Sequence, residues 1–340
     1  MIPKKVILDC DPGSDDAIAM MLAMKSDAID LIGVTTVNGN RIVPKTTENA
    51  LRVVQFMKAS VPVYRGCEEP IICNEIPGRK PGLPRVTLND CHGDFLPLPE
   101  AEIRTEKEHA VFYLVKKLME SEGDIYVAAV GPLTNLAMAL RIEPKISGKI
   151  KQLVIMGGGH CGANASPAAE FNFYADPEAA KIVMDSAIPK VILPLDATWR
   201  ACLSEEKCQE LAQLGTPEAK VAAALVQKRI DNLKVNDVSE HNYALRHQVG
   251  TVAGAMLYRY DNHMAPIHDA LAIAYLINEN VVTELADANV DIDIAGGLCD
   301  GRMVADFHNT KKCKAPVTAK VALNSDAGLF TDMLFAALGK

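Results

Sequence analysis

The sequence contains no apolar run of the roughly 18 residues that a membrane-spanning helix needs. Its N-terminus reads MIPKKVILDCD, and it does not resemble a signal peptide because an aspartate follows only three apolar residues. Nine cysteines are scattered without any C-x-x-C pair, so neither a disulfide framework nor a structural zinc site is predicted. These absences predict a cytoplasmic protein with no membrane partner.

Positive charge is also scarce: 35 Lys and Arg face 43 Asp and Glu, which gives a formal net charge of -8. An acidic surface repels phosphate groups, so nucleic acid is not an expected partner. The chain has 340 residues, of which 49% are hydrophobic, enough for a large core. We find no internal repeat or low-complexity linker, and we predict one domain over residues 1–340.

Short apolar strands alternate with amphipathic helices along most of the chain. KKVILDCD precedes the helical DDAIAMMLAMKS, and IDLIGVTTV precedes PKTTENALRVVQFMKAS. Further strands are predicted in VPVYRG, DIYVAAV, QLVIMGGG and PKVILPLD. Strands this uniformly apolar are covered on both faces, so we predict an α/β fold with a mainly parallel sheet flanked by helices.

Two later regions depart from this alternation. NVDIDIAGGLCDGRMVADF is expected to form a hairpin, and APVTAKVAL a further strand. Residues 200–265 are polar and helical, with Thr216 as the N-cap and Pro217 in the first turn of a helix. We expect this segment to form a helical cap on the rim of the sheet.

Four aspartates fall within eight residues of the first strand and helix: Asp9, Asp11, Asp15 and Asp16. Carboxylates at a helix start complement its dipole by about 0.3–1 kcal/mol each. However, two carboxylates about 4 Å apart repel by roughly 4 kcal/mol at an effective dielectric near 20. Either some are protonated or a cation lies among them. We predict that a divalent metal ion binds among these carboxylates. Ca²⁺ accepts carboxylates, carbonyls and hydroxyls together as ligands, whereas Mg²⁺ requires a stricter octahedral geometry.

Other polar residues are expected at the same rim, because ligands of such sheets bind outside the carboxyl ends of the strands. Asn40 follows the second strand, and Val130 ends the fourth. His268 and Asp269 open an apolar helix. Each has an ordinary structural role when taken alone, as a turn former, a helix cap or a core histidine. Because they all lie at strand-to-helix turns, they are predicted to form one ligand-binding site.

The segment after the fifth strand adds four more candidates. Asn164 lies just upstream of the sequence EFN. If EFN is extended, Glu170 and Asn172 lie on one side and Phe171 on the other. Taken alone, an asparagine such as Asn164 is more often a turn former than a ligand, and Glu170 could equally be a solvated loop carboxylate. Their assignment to the site therefore depends on their lying at the same rim of the sheet as the other candidates.

These motifs together resemble the inosine-uridine-preferring nucleoside hydrolase family. DCDPGSDDA matches the signature D-x-D-P-G-x-D-D, and TTVNGN, GPLTNLAMALRIEP, IMGGG, NASPAAEFNFYADPEAA and HDALAIAY follow in order. Only residues 200–265 look divergent. The resemblance implies a Rossmann-like, mostly parallel mixed β-sheet flanked by helices. It also implies calcium-dependent hydrolysis of the N-glycosidic bond of ribonucleosides, which yields free base and ribose for nucleoside salvage.

The resemblance further implies a ligand set for a tightly bound Ca²⁺. Asp11, Asp16, Asp269 and the backbone carbonyl of Val130 would hold the ion. Asp11 would also be the general base for the attacking water, and Asn40 would help to place that water.

The ribose would be bound through its hydroxyl groups. The resemblance assigns the 2′- and 3′-hydroxyls to Asp15, Asn172 and Asp269, and the 5′-hydroxyl to Asn164 with Glu170.

The base and its departure involve a different set of residues. His268 is the natural proton donor, since the ordinary histidine pKa near 6.5 leaves an accessible protonated fraction. Purine-specific members stack the base between tryptophans, but the aligned positions here carry His92 and His268, and the only tryptophan is Trp199. With Phe171 as a further substrate contact, we predict uridine-type or mixed specificity, and purine preference is the alternative.

The divergent segment is predicted to cover the base. Its candidates for base contact are Tyr243, Arg246, His247, Tyr258 and Tyr260. The resemblance also suggests a homodimer or homotetramer.

Three other functions are alternatives to nucleoside hydrolysis. ILDCDPG resembles the D-x-D motif of haloacid-dehalogenase-type phosphatases, but Gly13 stands where that pattern has Thr or Val. A calcium-stabilised nucleoside-binding protein would need neither a base nor an acid, and ribose release distinguishes it. A metal-stabilised structural protein would respond to calcium but not to nucleosides.

Overall fold

The computed structural model describes residues 2–72, 93–235, 263–307 and 316–340. The strands of its main sheet are β1 (Lys4–Cys10), β2 (Ile29–Thr36), β3 (Val63–Arg65), β4 (Ile125–Ala129), β5 (Ile150–Met156), β6 (Lys190–Leu193), β9 (Val282–Ile292), β10 (Met303–Asp306) and β11 (Ala319–Ser325). Strands β7 (Cys202–Ser204) and β8 (Met264–Pro266) pair separately and antiparallel. The main sheet has the order β10-β9-β11-β6-β5-β4-β1-β2-β3. Strand β9 is antiparallel to both neighbours, and the other pairs are parallel, so the predicted mostly parallel mixed sheet is confirmed.

Helices cover both faces of this sheet. They are α1 (Ser14–Lys25), α2 (Val43–Phe56), α3 (Ala110–Met119), α4 (Thr134–Ile142), α5 (Phe171–Ala175), α6 (Pro177–Met184), α7 (Leu195–Thr198), α8 (Glu205–Gln213), α9 (Pro217–Val235), α10 (His268–Ile277) and α11 (Ala327–Leu338). Val6 and Leu8 of β1 pack in one core with α1, α9 and α10, whereas Ile7 packs in the other with α3, α4 and α6. The alternation along β1 explains why this strand is apolar throughout. Within the described ranges, no helix is long and apolar enough to span a membrane.

The order of the strands places a crevice beside β1. The chain passes from β1 to β2 on one side and later adds β4 on the other side, so the direction of the connections reverses at β1 and β4. Asp11 follows β1, and Val130 follows β4. Open α/β sheets bind ligands at the carboxyl ends of the strands where this reversal occurs. The predicted site residues therefore lie at the position that the fold provides for a ligand.

The segment 200–265 contains the predicted helices and one element that was not predicted. Thr216 caps α9 as expected, since its Oγ1 accepts the Ala219 N–H at 3.1 Å. The antiparallel pair of β7 and β8 was missed, because strands this short carry no periodic signal. The description of the segment as polar is wrong for one face of α9, which contributes Ala222 and Val226 to the core. The base-contact candidates Tyr243, Arg246, His247, Tyr258 and Tyr260 lie outside the described residues.

Lys190, at the start of β6, is a buried amine far from this crevice. Its Nζ donates to the carbonyls of Ser186 at 2.6 Å and Ile188 at 3.1 Å. Burial lowers the pKa of Lys190 from 10.5 to about 8. Because the folded value is the lower one, the charged amine opposes folding below about pH 8, and this cost disappears as the pH rises to 10.5.

We therefore expect the free energy of unfolding of the wild type to rise relative to Lys190→Met between about pH 7 and pH 10.5. The expected gain is on the order of 3 kcal/mol. Denaturant unfolding of both proteins across this pH range measures the difference. A difference that does not change with pH would show that Lys190 titrates in the fold as it does in the unfolded chain.

Candidate active site

The turn after β1 is organised by the carboxylate of Asp16. Its Oδ1 accepts the Asp11 N–H at 3.1 Å, and its Oδ2 accepts the Gly13 N–H at 2.9 Å. Gly13 is the N-cap of α1, and an acidic side chain three residues later commonly satisfies the N–H of the cap. The Pro-Gly turn and the helix start therefore bring Asp11 and Asp16 together by local chemistry alone.

Asp11 is enclosed by the loops that follow β2 and β4. Its Oδ2 accepts the Asn40 N–H at 2.5 Å, and Asn40 Nδ2 donates to the Asp11 carbonyl at 3.1 Å and to Asp16 Oδ2 at 3.3 Å. A Cβ atom at Gly39 would lie 1.9 Å from Asp11 Oδ2, and one at Gly131 would lie 2.7 Å from Oδ1. Only glycine leaves room for such a close approach. The position of the Asp11 carboxylate is therefore fixed from both sides.

Asp15, Asp16 and Asp269 form a buried carboxylate cluster next to Asp11. One oxygen atom from each of the three lies within 4.8 Å of the others. Burial and the Asp15 and Asp16 carboxylates raise the pKa of Asp269 well above its usual range, and burial and Asp16 do the same for Asp11. The four groups therefore oppose one another's ionisation. Clustered carboxylate oxygens suit a hard divalent cation, so the residues present fit such an ion.

An arginine that the sequence interpretation missed lies against this cluster. Arg229 of α9 places Nη1 2.9 Å from Asp15 Oδ2, with side chains that are only 12% and 9% exposed. Its charge also opposes the rise in the Asp269 pKa. No local motif marks Arg229, because its position depends on the packing of α9 against α1.

The carbonyl of Val130 is linked to the fifth strand through Asn172. Asn172 Nδ2 donates to the Val130 carbonyl at 2.9 Å and to the Met156 carbonyl at 3.0 Å. Both amide hydrogens are thereby directed at the ends of β4 and β5. The same geometry leaves the acceptor end of the amide, Oδ1, as the atom suited to a hydroxyl group.

The EFN segment is not extended, the condition for placing Glu170 and Asn172 on one side, because Phe171–Ala175 forms the short helix α5. Glu170 caps this helix by accepting the N–H groups of Asn172 at 2.9 Å and Phe173 at 3.3 Å, and it also accepts the Gly158 N–H at 2.8 Å. Burial raises the pKa of Glu170 to about 7 despite these bonds. The exposed Asn164 accepts the N–H of the partly buried Phe171 through Oδ1 at 2.8 Å. The cap explains why the chain is helical here. Although the segment is not extended, Glu170 and Asn172 are both buried.

His268 is the first residue of α10 and is buried beside the crevice-forming Asp269. Its Nδ1 lies 2.8 Å from Thr198 Oγ1, which fixes the orientation of the ring. The predicted partner on the other side of the base, His92, lies outside the described residues. Trp199 is buried next to Gly162 in the core, so it fills space there.

The fold and the site together define an α/β protein with a buried carboxylate cluster at the carboxyl ends of its central strands. The model of the family described as inosine-uridine preferring nucleoside hydrolase matches residues 6–332. This chain belongs to that family.

Individual relatives agree with this assignment over nearly the whole length. The pyrimidine-specific ribonucleoside hydrolase RihB of Escherichia coli O157:H7 is 36% identical over 337 residues, covering 97% of this chain and 95% of its own. The solved structure of the plant nucleoside hydrolase PpNRh1 is 27% identical, covers 99% of both chains and has a TM-score of 0.81. The purine-preferring ribonucleoside hydrolase from Gardnerella vaginalis has a TM-score of 0.78 at 24% identity over 99% of this chain and 98% of its own, which bears on the fold alone. The predicted family, fold class and nucleoside hydrolase activity are confirmed.

Proposed function

We propose that this nucleoside hydrolase depends on Ca²⁺ and acts on uridine-type or mixed ribonucleosides. The observation that carries the proposal is the buried cluster of Asp15, Asp16 and Asp269 beside the fixed carboxylate of Asp11. The name of the RihB relative, described as pyrimidine-specific, supports the base preference. Purine preference remains the alternative outcome of the test below. The single domain over residues 1–340 remains a prediction.

In this proposal, Asp11, Asp16, Asp269 and the Val130 carbonyl hold the cation. An all-oxygen donor set of carboxylates and a carbonyl is the kind that Ca²⁺ takes. When bound, the ion lowers the pKa of a water molecule and orients it for attack. A cation bound by these residues would relieve the mutual repulsion that contributes to the raised pKa values of Asp11 and Asp269.

Asp11 is the proposed general base. The Asn40 N–H holds its Oδ2, so the carboxylate keeps one orientation as it takes a proton from the attacking water. An ionised carboxylate held in one place is suited to accept a proton from a water molecule within hydrogen-bond reach. Asn40 therefore contributes both through its backbone N–H and through the side-chain amide, which bridges Asp11 and Asp16.

The ribose is proposed to bind through Asp15, Asp269 and the Oδ1 atom of Asn172. Carboxylates around the sugar also stabilise the positive charge that develops on the ribosyl centre as the base departs. Glu170 and Asn164 are assigned the 5′-hydroxyl. Direct attack by water, without a covalent intermediate, predicts inversion at the anomeric carbon.

The departing base requires a proton, and His268 is the proposed donor. The contact of Nδ1 with Thr198 Oγ1 directs the opposite ring nitrogen, Nε2, away from α7. Phe171 and His92 are assigned to the base or the sugar face next to it.

Release of reducing sugar from a panel of ribonucleosides in phosphate-free buffer tests the proposal. We expect calcium-dependent turnover, with kcat/KM for uridine above that for inosine by about tenfold or more. 2′-Deoxyuridine should be a poor substrate, because it lacks a hydroxyl that the site binds. Faster turnover of purines would overturn the base preference only. An absence of release from every nucleoside, with calcium bound, would contradict the proposed hydrolysis.

Three further predictions belong to this proposal. The protein is proposed to form a homodimer or homotetramer, to act in the cytoplasm and to bind neither nucleic acid nor membranes. The six cysteines among the described residues, Cys10, Cys67, Cys161, Cys202, Cys208 and Cys299, are all free thiols, which agrees with a reducing compartment. Light scattering after gel filtration measures the oligomeric state.

A further inference from the structure

Two ion pairs hold α9 antiparallel to α1, and one of them enters the active site. Lys25 at the end of α1 pairs with Glu218 at the start of α9, with 2.8 Å between Nζ and Oε1. At the start of α1, Asp15 pairs with Arg229 of α9 at 2.9 Å. Both pairs are largely buried, so they are screened less by salt than surface pairs are. The nitrogen–oxygen distances of the two pairs are similar, but only the pair of Asp15 and Arg229 includes a residue of the carboxylate cluster.

The position of Arg229 is imposed by the packing of its helix. The residues of α9 that are buried in the same core as α1 are Ala219, Ala222, Ala223, Leu225, Val226 and Ile230. Near the end of α9, Glu205 of α8 accepts hydrogen bonds from Lys234 and from Gln227. Arg229 lies where these two sets of contacts overlap, after Gln227 and before Ile230. The packing of α9 therefore places the Arg229 guanidinium next to Asp15.

The charge balance of the cluster gives Arg229 a role. Asp11, Asp15, Asp16 and Asp269 carry four negative charges when all are ionised, and a divalent cation offsets two of them. The guanidinium, which stays charged at every accessible pH, offsets a third. It is bound to Asp15, the residue assigned to the ribose, and it lies close enough to Asp269 to oppose the rise in that residue's pKa.

We propose that Arg229 is a positioning residue, which orients Asp15 toward the ribose hydroxyls and weakens the hold of the cluster on the metal. This inference rests on the proposed function. The ion pair at Asp15 Oδ2 holds the carboxylate beside the guanidinium and so restricts its orientation, which presents Asp15 to a hydroxyl group in one arrangement. The same positive charge repels a divalent cation bound next to it.

Arg229→Met should therefore change the two affinities in opposite directions. The methionine keeps an unbranched apolar stem but removes the charge. Calcium, titrated alone by calorimetry into the chelator-treated full-length protein, is expected to bind about tenfold more tightly. KM for uridine is expected to rise about tenfold with a much smaller change in kcat, since Asp15 holds the sugar in both the ground state and the transition state.

Two further variants separate charge, geometry and folding. Arg229→Lys keeps the charge but not the planar fork, so calcium affinity should stay near that of the wild type while KM remains raised. Lys25→Met removes the ion pair at the other end of the same two helices. It should leave calcium affinity and KM within about twofold of the wild type, because it removes a comparable pair without touching the cluster.

The outcomes are distinguishable. A misplaced helix in Arg229→Met would weaken both calcium and uridine binding, and this result, or unchanged calcium affinity, would overturn the inference. An unchanged KM would overturn the positioning of Asp15. If the wild type binds no calcium and releases no ribose, the proposed function fails and the inference fails with it. Opposite shifts in Arg229→Met, absent in Lys25→Met, would support the inference.

Discussion

Asp11→Asn is expected to lower kcat for uridine by about 10³-fold or more, measured at saturating calcium. The asparagine has nearly the shape of the aspartate, and its Oδ1 can still accept the Asn40 N–H that now binds Asp11 Oδ2. It cannot take a proton from the attacking water, and it removes one negative charge from the predicted metal ligands. Calcium binding should therefore weaken as well, and this loss is measured separately by calorimetry.

The stability of the metal-free protein should change in the opposite direction. Burial and the Asp16 carboxylate raise the pKa of Asp11 above its value in the unfolded chain, so Asp11 costs stability progressively as the pH rises from the unfolded pKa to the raised one. Below the unfolded pKa, where Asp11 is protonated in both the folded and the unfolded chain, the substitution should have little effect on stability. We expect metal-free Asp11→Asn to melt at a higher temperature than the wild type in alkaline buffer, which rules out misfolding as the cause of lost turnover.

Asp124→Asn is the matched control for this substitution. Asp124 is an exposed carboxylate that pairs with Lys5, near the opposite end of β1 from Asp11. Its replacement should leave kcat unchanged. Retention of more than about a tenth of wild-type kcat by Asp11→Asn would exclude Asp11 as the general base, since a positioned base contributes more than that.

The part of the site that follows β1 could be predicted because its chemistry is local. A strand, a Pro-Gly turn and a helix start bring Asp11 and Asp16 together through bonds within a few residues. The convergence of Asn40 and Val130 on the same rim required only the rule for parallel sheets. Alternating strands and helices likewise predicted the sheet, because buried strands and amphipathic helices have distinct periodicities.

The features that were missed depend on contacts far apart in the chain or on capping. Arg229 reaches Asp15 only because a helix from another part of the sequence packs on α1. The helical turn at Phe171 depends on the Glu170 carboxylate, which accepts backbone N–H groups at the start of the helix. These hydrogen bonds favour the helix over the extended conformation. The pairing of β7 with β8 joins residues on either side of α8 and α9. Periodicity along the sequence carries no record of such pairings.

His268→Ala is expected to lower kcat/KM for uridine by about 10²-fold to 10⁴-fold, the usual contribution of a positioned acid. With p-nitrophenyl riboside the loss should be much smaller, because p-nitrophenolate departs without being protonated. Steady-state rates on both substrates measure this difference. A role of His268 in binding metal or ribose would slow both substrates equally, so equal losses would contradict the assignment as proton donor.

Thr198→Val supplies a matched variant that leaves His268 in place. Valine has nearly the shape of threonine but lacks the Oγ1 atom that lies 2.8 Å from His268 Nδ1. If this contact orients the ring for proton donation, Thr198→Val should reduce turnover of uridine and spare p-nitrophenyl riboside, with a smaller effect than His268→Ala. The start of α10 disfavours a positive charge on His268, whereas the neighbouring carboxylates favour it. A leaving-group dependence shared by the two variants would show that the carboxylates prevail, because only a protonated ring can supply the departing base with its proton.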